Sequence, residues 1–471
     1  MLFNSIEFLI FFPLVTVIYY ILGRKCFRNP FLLIASYFFY ANWKPVYAIL
    51  ILISTLVTYC CGILLQNNDG NRKRQKTILV TSLILNLGIL FIFKYYNFIN
   101  ESVFGFLYCI GIRWNIPGLD ILLPVGISFY TFQAAGYSID IYRGSIKAEK
   151  DFITYALFVS FFPQLVAGPI ERARNLLPQF HKEHPFNPDN VIEGVKMMVW
   201  GYFMKLCIAD ILSEYVDAVY DNVSFHNGPS IVVATVFFTF QIYCDFAGYS
   251  NIAIGAAKVM GFDLMQNFRQ PYFSMSIKEF WKRWHISLST WFMDYLYIPL
   301  GGNRVKYGRH LLNLMITFLI SGLWHGANWT FVLWGAIHGT YLVIGNLIRK
   351  YVYTIKYDTF LSKSVNTVIC FALVCFAWIF FRANTIGDAF MIIRKILSDR
   401  GPVFQNEFVF VYGLMALFIL IVKDSKDNFE LNLNFMHSKH AAVRVISIVF
   451  LISYIMLFGA LNADSFIYFQ F

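Results

Sequence analysis

The sequence is short of charge. Asp, Glu, Lys and Arg supply 14% of its 471 residues, against about a quarter in an ordinary soluble domain. Apolar residues make up 58% and mean hydropathy is +0.58. Too little polar side chain is present to cover a soluble globular enzyme. Disorder, collagen and coiled coil are excluded by the same balance. Alternating strands of about 10 residues, the mark of a β-barrel, are missing, and unbroken apolar runs near 20 residues take their place. The fold class is therefore an all-α polytopic membrane protein. Paired cysteine motifs are missing too. Cys26, Cys60, Cys61, Cys109, Cys207, Cys244, Cys370 and Cys375 form no C-x-x-C, and most fall inside apolar runs. They read as small buried hydrophobes, with no disulfide framework and no metal site. Nucleophile elbow, H-E-x-x-H and Walker A motifs are also absent.

Basic residues are not scarce. The formal charge is +11 and the pI is near 9.1. They cluster in short loops beside apolar runs, the positive-inside pattern, which argues against nucleic acid. The first run, Ile6 to Leu22, has no Lys or Arg before it and Arg24, Lys25 and Arg28 after it. That predicts an uncleaved first span with the N-terminus outside the cytoplasm. A short stretch, Pro30 to Trp43, and a full one, Val46 to Leu65, lead to Arg72, Lys73, Arg74 and Lys76. Thr77 to Phe98 then goes out, and Ile121 to Ile141 returns. The outer loop from Glu101 to Asp120 carries Arg113 alone.

Phe152 to Ile170 has basic residues on both sides and is interrupted by Pro163, Gly168 and Pro169. It reads as a re-entrant hairpin, with QLVAGPIER lining a cavity. Val191 to Val216 goes out and Ser230 to Ala257 returns. A cytoplasmic stretch follows from Lys258 to His310. Leu311 to Ile348 is 38 residues with basic ends. At 1.5 Å per residue it spans roughly 57 Å, just short of the ~60 Å of two crossings. That predicts a helical hairpin turning near Gly326–Trp329, with His325 inside the protein. Val365 to Phe381, Phe408 to Val422 and Ala441 to Leu461 bring the count to roughly 10 to 12 crossings, with the C-terminus outside. Asp388 to Leu397 is amphipathic and suits an interface. One transmembrane domain is expected over 1–471: N-terminal helices in 1–150, a core in 151–350, and C-terminal helices in 351–471.

Chemistry concentrates in two segments. In Phe273 to Arg304, one helix would place Lys278, Lys282, His285 and Ser289 on one face. Ile277, Trp281, Trp284, Leu288, Trp291 and Tyr295 form the stripe beside it. The pattern fits an interfacial helix with snorkelling lysines, or a basic, aromatic entrance for an anionic donor. In SGLWHGANW, Ser321 to Trp329, His325 lies in a strongly apolar run, where a titratable group is costly and points to function; a satisfied buried histidine is the other reading. Gly322 and Gly326 allow close backbone approach. Asn328 is within reach to orient the ring. His338 reads as a structural hydrogen bonder. Asp245, inside FQIYCDFAGYS, is expected to pair with a cation or orient substrate.

These residues carry a resemblance. The run FWKRWHISLSTWFMDYLYIPLGGNR followed by GLWHGANWTFVLWGAIHG resembles the membrane-bound O-acyltransferases, and most nearly the bacterial branch of alginate and peptidoglycan O-acetylation proteins. LVAGPIER, YCDFAGYSNIAIG and the N-terminal MLFNS fit the same branch. The resemblance implies a ring of roughly 10–12 transmembrane helices with re-entrant segments around a central tunnel. It places the family's principal histidine on His325 and a second on His285. It implies transfer of an acyl group, acetyl in this branch, from a cytoplasmic thioester such as acetyl-CoA to a hydroxyl, without a permanently bound cofactor. The acceptor would be an extracytoplasmic polysaccharide or cell-wall glycan, and the partner a separate extracytoplasmic acetyltransferase. The setting would be a bacterial plasma membrane. The wealth of Phe, Ile, Asn and Lys suggests an AT-rich genome, which disfavours alginate as the acceptor. The chain departs from the family at Met293, where an arginine is common.

In the expected mechanism His325 is general base toward the acceptor hydroxyl, worth about 10²- to 10⁴-fold. His285 and Lys282 position the donor, or His285 relays a proton, and Asn328 orients His325 or supports the oxyanion. Arg283, Trp284, Ser289, Asp294, Trp324 and Asp245 complete the expected supporting and substrate-binding set. The competing readings are a transporter or flippase with a path through His325, Asp245 and Asp140, and D-alanyl transfer from a carrier-protein thioester. The related D-alanylation proteins run closer to RDY-x-Y-x-RL, where this chain has YIPLGGNR.

Overall fold

The computed structural model describes residues 1–112, 116–166, 168–352, 359–431, 434–460 and 466. Among them the regular structure is helical, with no strand. Among the described residues, six helices are long and apolar enough to cross a membrane: Pro45–Asn67, Arg72–Cys109, Gly228–Val259, Trp329–Tyr351, Phe360–Arg382 and Ala441–Phe458. Ile6–Ile21 and Phe152–Leu165 are shorter apolar helices. The protein is a multi-pass membrane protein. Arg113 and Leu461 lie outside the described residues.

The chain divides into two compact units. The first comprises residues 1–194 and 256–265. Ser5 caps the first helix, Ile6–Ile21, by accepting from the Phe8 N–H. The next span ends at Ala41 and, after the turn Pro45–Tyr47, a third helix runs Ala48–Asn67, as the hydropathy anticipates. Two boundaries differ. The helix from Arg72 continues to Cys109 through a π turn at Phe91–Tyr95, eleven residues past Phe98. Asn100, Glu101 and Ser102 are polar but compatible with a helix, and the stop signal is Gly111, at φ 80°. The returning helix starts at Ile127 because Pro124 and Gly126 hold the chain non-helical before it. Gly126 has φ 73°, and a Cβ there would lie 2.7 Å from the Leu165 carbonyl oxygen.

The broken segment after Asp151 is buried throughout its described length from Thr154 to Arg172. Helix Phe152–Ser160 ends at Phe161, a short turn Phe162–Leu165 follows, and irregular backbone leads to helix Ala173–Phe180. Ala167 of the QLVAGPIER motif lies outside the described residues. Irregular backbone among lipid-facing helices is tolerated only inside protein, and this segment meets that condition. Glu171 accepts from the Met265 N–H.

The second unit comprises residues 195–255 and 266–471. It holds the helices Tyr307–His325, Trp329–Tyr351, Phe360–Arg382, Leu414–Phe429 and Ala441–Phe458. The 38-residue apolar run is the expected hairpin, with its turn at Gly326–Asn328. Its two arms touch through glycine. A Cβ on Gly322 would fall 2.2 Å from the Phe331 carbonyl oxygen, and one on Gly335 2.3 Å from that of Phe318. The amphipathic segment is helix Ile386–Ser398, begun by a Thr385/Asp388 capping box.

Candidate active site

Lys278, Lys282, His285 and Ser289 do not share one helical face. The helix Ile277–Arg283 stops, Trp284 is extended, His285 is left-handed at φ 42°, and a second helix runs Ile286–Phe292. No glycine or proline marks this break. A left-handed histidine is a strained conformation, held only where surrounding bonds over-determine it. The consequence is that lysine and histidine part. Lys282 is exposed, whereas His285 is fully buried. Arg283 is engaged within the protein, bonded to Glu279 at 2.6 Å and to the Asn428 amide oxygen at 2.6 Å.

His285 and His325 meet. His325 is the last residue of Tyr307–His325 and is 2% exposed. The two ring centroids are 6.4 Å apart. Phe246 stands perpendicular to His285 at 4.6 Å, and Trp324 lies 6.0 Å from His285 and 5.0 Å from His325. Trp334 and Phe381 close on His325 at 5.0 and 5.6 Å. Burial pushes His285 down to about 3, so its imidazole is neutral near pH 7. Trp334 also contacts His338, whose Nδ1 accepts from the Trp281 indole N–H at 3.3 Å. His338 is thus the structural hydrogen bonder the sequence suggests.

The remaining expected residues divide. Trp284 is buried between Phe280, Phe268 and Trp378 at 5.4, 5.0 and 5.1 Å. The Ser289 hydroxyl donates to the Trp284 carbonyl at 3.2 Å, so both serve the loop that carries His285. Asp294 lies half-buried in the π turn Met293–Tyr297. The Asn328 amide is engaged in the turn of the hairpin. Its amide oxygen caps helix Trp329–Tyr351 at the Thr330 N–H, 3.0 Å, and its amide nitrogen donates to the Asn384 carbonyl at 3.1 Å. Asp245 is paired: the Lys205 ammonium, in the π turn Phe203–Ala209, lies 2.6 Å from both Asp245 and Asp210. Sequence reasoning missed Trp334 and Phe381 as walls of the His325 niche. Trp334 stood in the second motif, nine residues from His325, and the hairpin is what folds it back.

Two buried imidazoles side by side, walled by aromatics, can move a proton without a metal ligand set or a serine or cysteine nucleophile. The family model of the membrane-bound O-acyltransferase family matches residues 145–387, which contain both histidines. The chain belongs to that family. Among similar proteins, the Azotobacter vinelandii protein named "Probable alginate O-acetylase AlgI" is 40% identical over 400 residues, 84% of this chain and 78% of its own length. The peptidoglycan O-acetyltransferase of Helicobacter pylori is 33% identical over 435 residues, 85% of this chain and 80% of its own. The teichoic acid D-alanyltransferase of Streptococcus thermophilus is 32% identical over 263 residues, 52% of this chain and 62% of its own. This membrane-bound O-acyltransferase is an enzyme of acyl transfer, and its buried histidine pair lies in the part of the chain that the family model covers.

Proposed function

We propose that this protein is an O-acetyltransferase of a bacterial plasma membrane. It takes acetyl from a cytoplasmic thioester and passes it toward hydroxyls of an extracytoplasmic polysaccharide or cell-wall glycan, with a separate extracytoplasmic acetyltransferase as partner. The observation that carries the reading is the burial of His325 beside His285 at the tip of a glycine-packed hairpin. Its relatives named as O-acetylating enzymes, matching more than four fifths of the chain, support acetyl over D-alanyl.

In this mechanism His325 accepts the proton of an acceptor hydroxyl as the oxygen attacks the thioester carbonyl. The tetrahedral intermediate collapses, the carbon–sulfur bond breaks, and the imidazolium returns the proton to the departing thiolate. General-base assistance of this kind contributes about 10²- to 10⁴-fold. His285, neutral by burial, orients the thioester carbonyl of the already bound donor toward the acceptor oxygen, a contribution to kcat rather than to donor affinity. Exposed Lys282 supplies positive charge toward the donor's anionic end. Direct attack needs no covalent acyl-enzyme.

Three strains test the reading: wild type, deletion, and His325→Ala with membrane insertion checked by blot. Base-releasable acetate is measured on surface polysaccharide and on cell wall. Equal loss in deletion and mutant is expected, and the depleted glycan names the acceptor. Wild-type acetate in His325→Ala alongside loss in the deletion overturns the mechanism. No change in either strain overturns acetyl transfer and directs the search to D-alanine and to transport.

A further inference from the structure

We propose that Asn267 is the positioning residue of the histidine pair. The proposal rests on the functional reading above and adds to it a residue that belongs to neither sequence motif. Asn267 is 1% exposed. Its main-chain carbonyl accepts from the Ile286 N–H at 2.9 Å, and two residues along, the Arg269 N–H donates to the Arg283 carbonyl at 2.9 Å. These two bonds bracket His285. The side chain adds two more. Its amide oxygen accepts from the Ser287 hydroxyl at 2.6 Å, and its amide nitrogen donates to the Ser250 hydroxyl at 3.0 Å.

The arrangement has one geometric result. Ser250 and Phe246 are four residues apart on helix Gly228–Val259, hence on one face. Phe246 is the ring against which His285 packs at 4.6 Å. Asn267 therefore ties the backbone on the far side of His285 to the same helix face that supports its ring. Helix Ile286–Phe292 has no side-chain cap of its own. The left-handed conformation of His285, φ 42° and ψ 55°, is one that a histidine leaves unless its flanks are fixed. Removing the carboxamide keeps the two main-chain bonds but unties residues 267 and 287 from helix Gly228–Val259, so the loop shifts with His285 and carries its ring away from His325.

A direct role in binding is the competing use, because Asn267 also forms part of the wall of a 190 Å³ cavity with Tyr243, Phe268, Arg269 and Asp424. The two roles separate kinetically. A positioning residue changes kcat and leaves KM in place; a donor-contacting residue raises KM.

The experiment uses full-length protein in lipid nanodiscs with acetyl-CoA as the probe. Asn267→Ala, Asn267→Asp and Ser287→Ala are compared with Asn86→Ala. Asn86 is as buried, and its amide oxygen accepts from a serine hydroxyl at 2.6 Å as that of Asn267 does, but it lies in the other unit. Asn267→Ala is expected to lower kcat by about 10²-fold at unchanged KM, the usual result of an ångström's misplacement. Asn267→Asp, whose carboxyl can accept from both serine hydroxyls, is expected to recover most of that loss. Asn86→Ala is expected to lower the melting temperature similarly at full turnover. Acetate per molecule of enzyme in cells is read for the same set, so the ranking stands even if wild type does not use acetyl-CoA in isolation. A cryo-electron-microscopy structure of Asn267→Ala gives a readout independent of turnover, in which the 6.4 Å ring separation should widen by about 1 Å or more. Unchanged kcat, a rise in KM alone, equal loss of turnover in Asn86→Ala, or an unchanged ring separation would each overturn the proposal. Loss of activity in Asn267→Ala with none in His325→Ala would instead overturn the underlying mechanism.

Discussion

Replacing Gly322 by alanine adds one methyl group where there is no room for it. The new Cβ would stand 2.2 Å from the Phe331 carbonyl oxygen, and real Cβ contacts essentially never fall under 3.0 Å. The obstacle is backbone on the facing helix, so no side chain can swing away. The arms Tyr307–His325 and Trp329–Tyr351 must part by about 1 Å, and Gly335→Ala, at 2.3 Å from the Phe318 oxygen, forces the same separation from the other side. Overpacking of this kind costs about 1–3 kcal/mol. His325 is three residues beyond Gly322 at the end of the displaced arm. An ångström of misplacement at a reacting group lowers turnover by about 10²-fold. Both variants should therefore insert and fold, melt a few degrees lower, and lose about 99% of acetyl transfer. Gly345→Ala is the control. It lies in the same helix, and its Cβ would meet nothing within 4 Å. It should retain full activity and gain about 0.5–1 kcal/mol from helix propensity. The assay is base-releasable acetate per blotted enzyme, with melting followed in detergent. Activity within twofold of wild type in both Gly322→Ala and Gly335→Ala would refute the idea that helix contact sets the place of His325.

Burial holds His285 near 3 in the folded protein, against 6.5 when unfolded, so folding is weakened as pH falls through that window. At pH 5 the loss relative to pH 7 is about 2 kcal/mol. His285→Asn, which tolerates the left-handed backbone, should show a smaller drop in melting temperature between pH 7 and pH 5, and an equal drop would remove the burial argument. Lys205→Met leaves two buried carboxylates facing the vacated cation site and should cost about 3–5 kcal/mol. Lys205→Met combined with Asp245→Asn should be the more stable of the two, and the reverse order on thermal melting would show that the cluster is not held by charge pairing. Met293 is 46% exposed at the start of its π turn. Met293→Arg should lower the KM for acetyl-CoA with kcat unchanged, and a KM that stays or rises would place residue 293 away from the donor.

The hairpin was legible because three signals agree over Leu311 to Ile348: length, basic ends, and glycines around a histidine that hydropathy alone would forbid. Burial of His325 follows from those signals. Pairing of Asp245 was legible for a different reason, since a carboxylate in an apolar run must find a cation, although nothing in the sequence singled out Lys205. The break at Trp284–His285 was not legible. No proline or glycine interrupts FWKRWHISLST, and helical spacing laid Lys282 and His285 on one face. What overrides the spacing is tertiary: two backbone bonds from residues 267 and 269 and one carboxamide hold His285 in a conformation its own sequence disfavours. That override has a chemical consequence. A continuous helix would have put an exposed lysine and a reactive imidazole in one environment. The break leaves Lys282 exposed and buries His285 in an aromatic niche beside His325. An exposed ammonium and a buried imidazole are thereby kept three residues apart in sequence and in different dielectric surroundings. Local pattern fails at the residue where the site departs from regular structure, as expected when strain is retained for function.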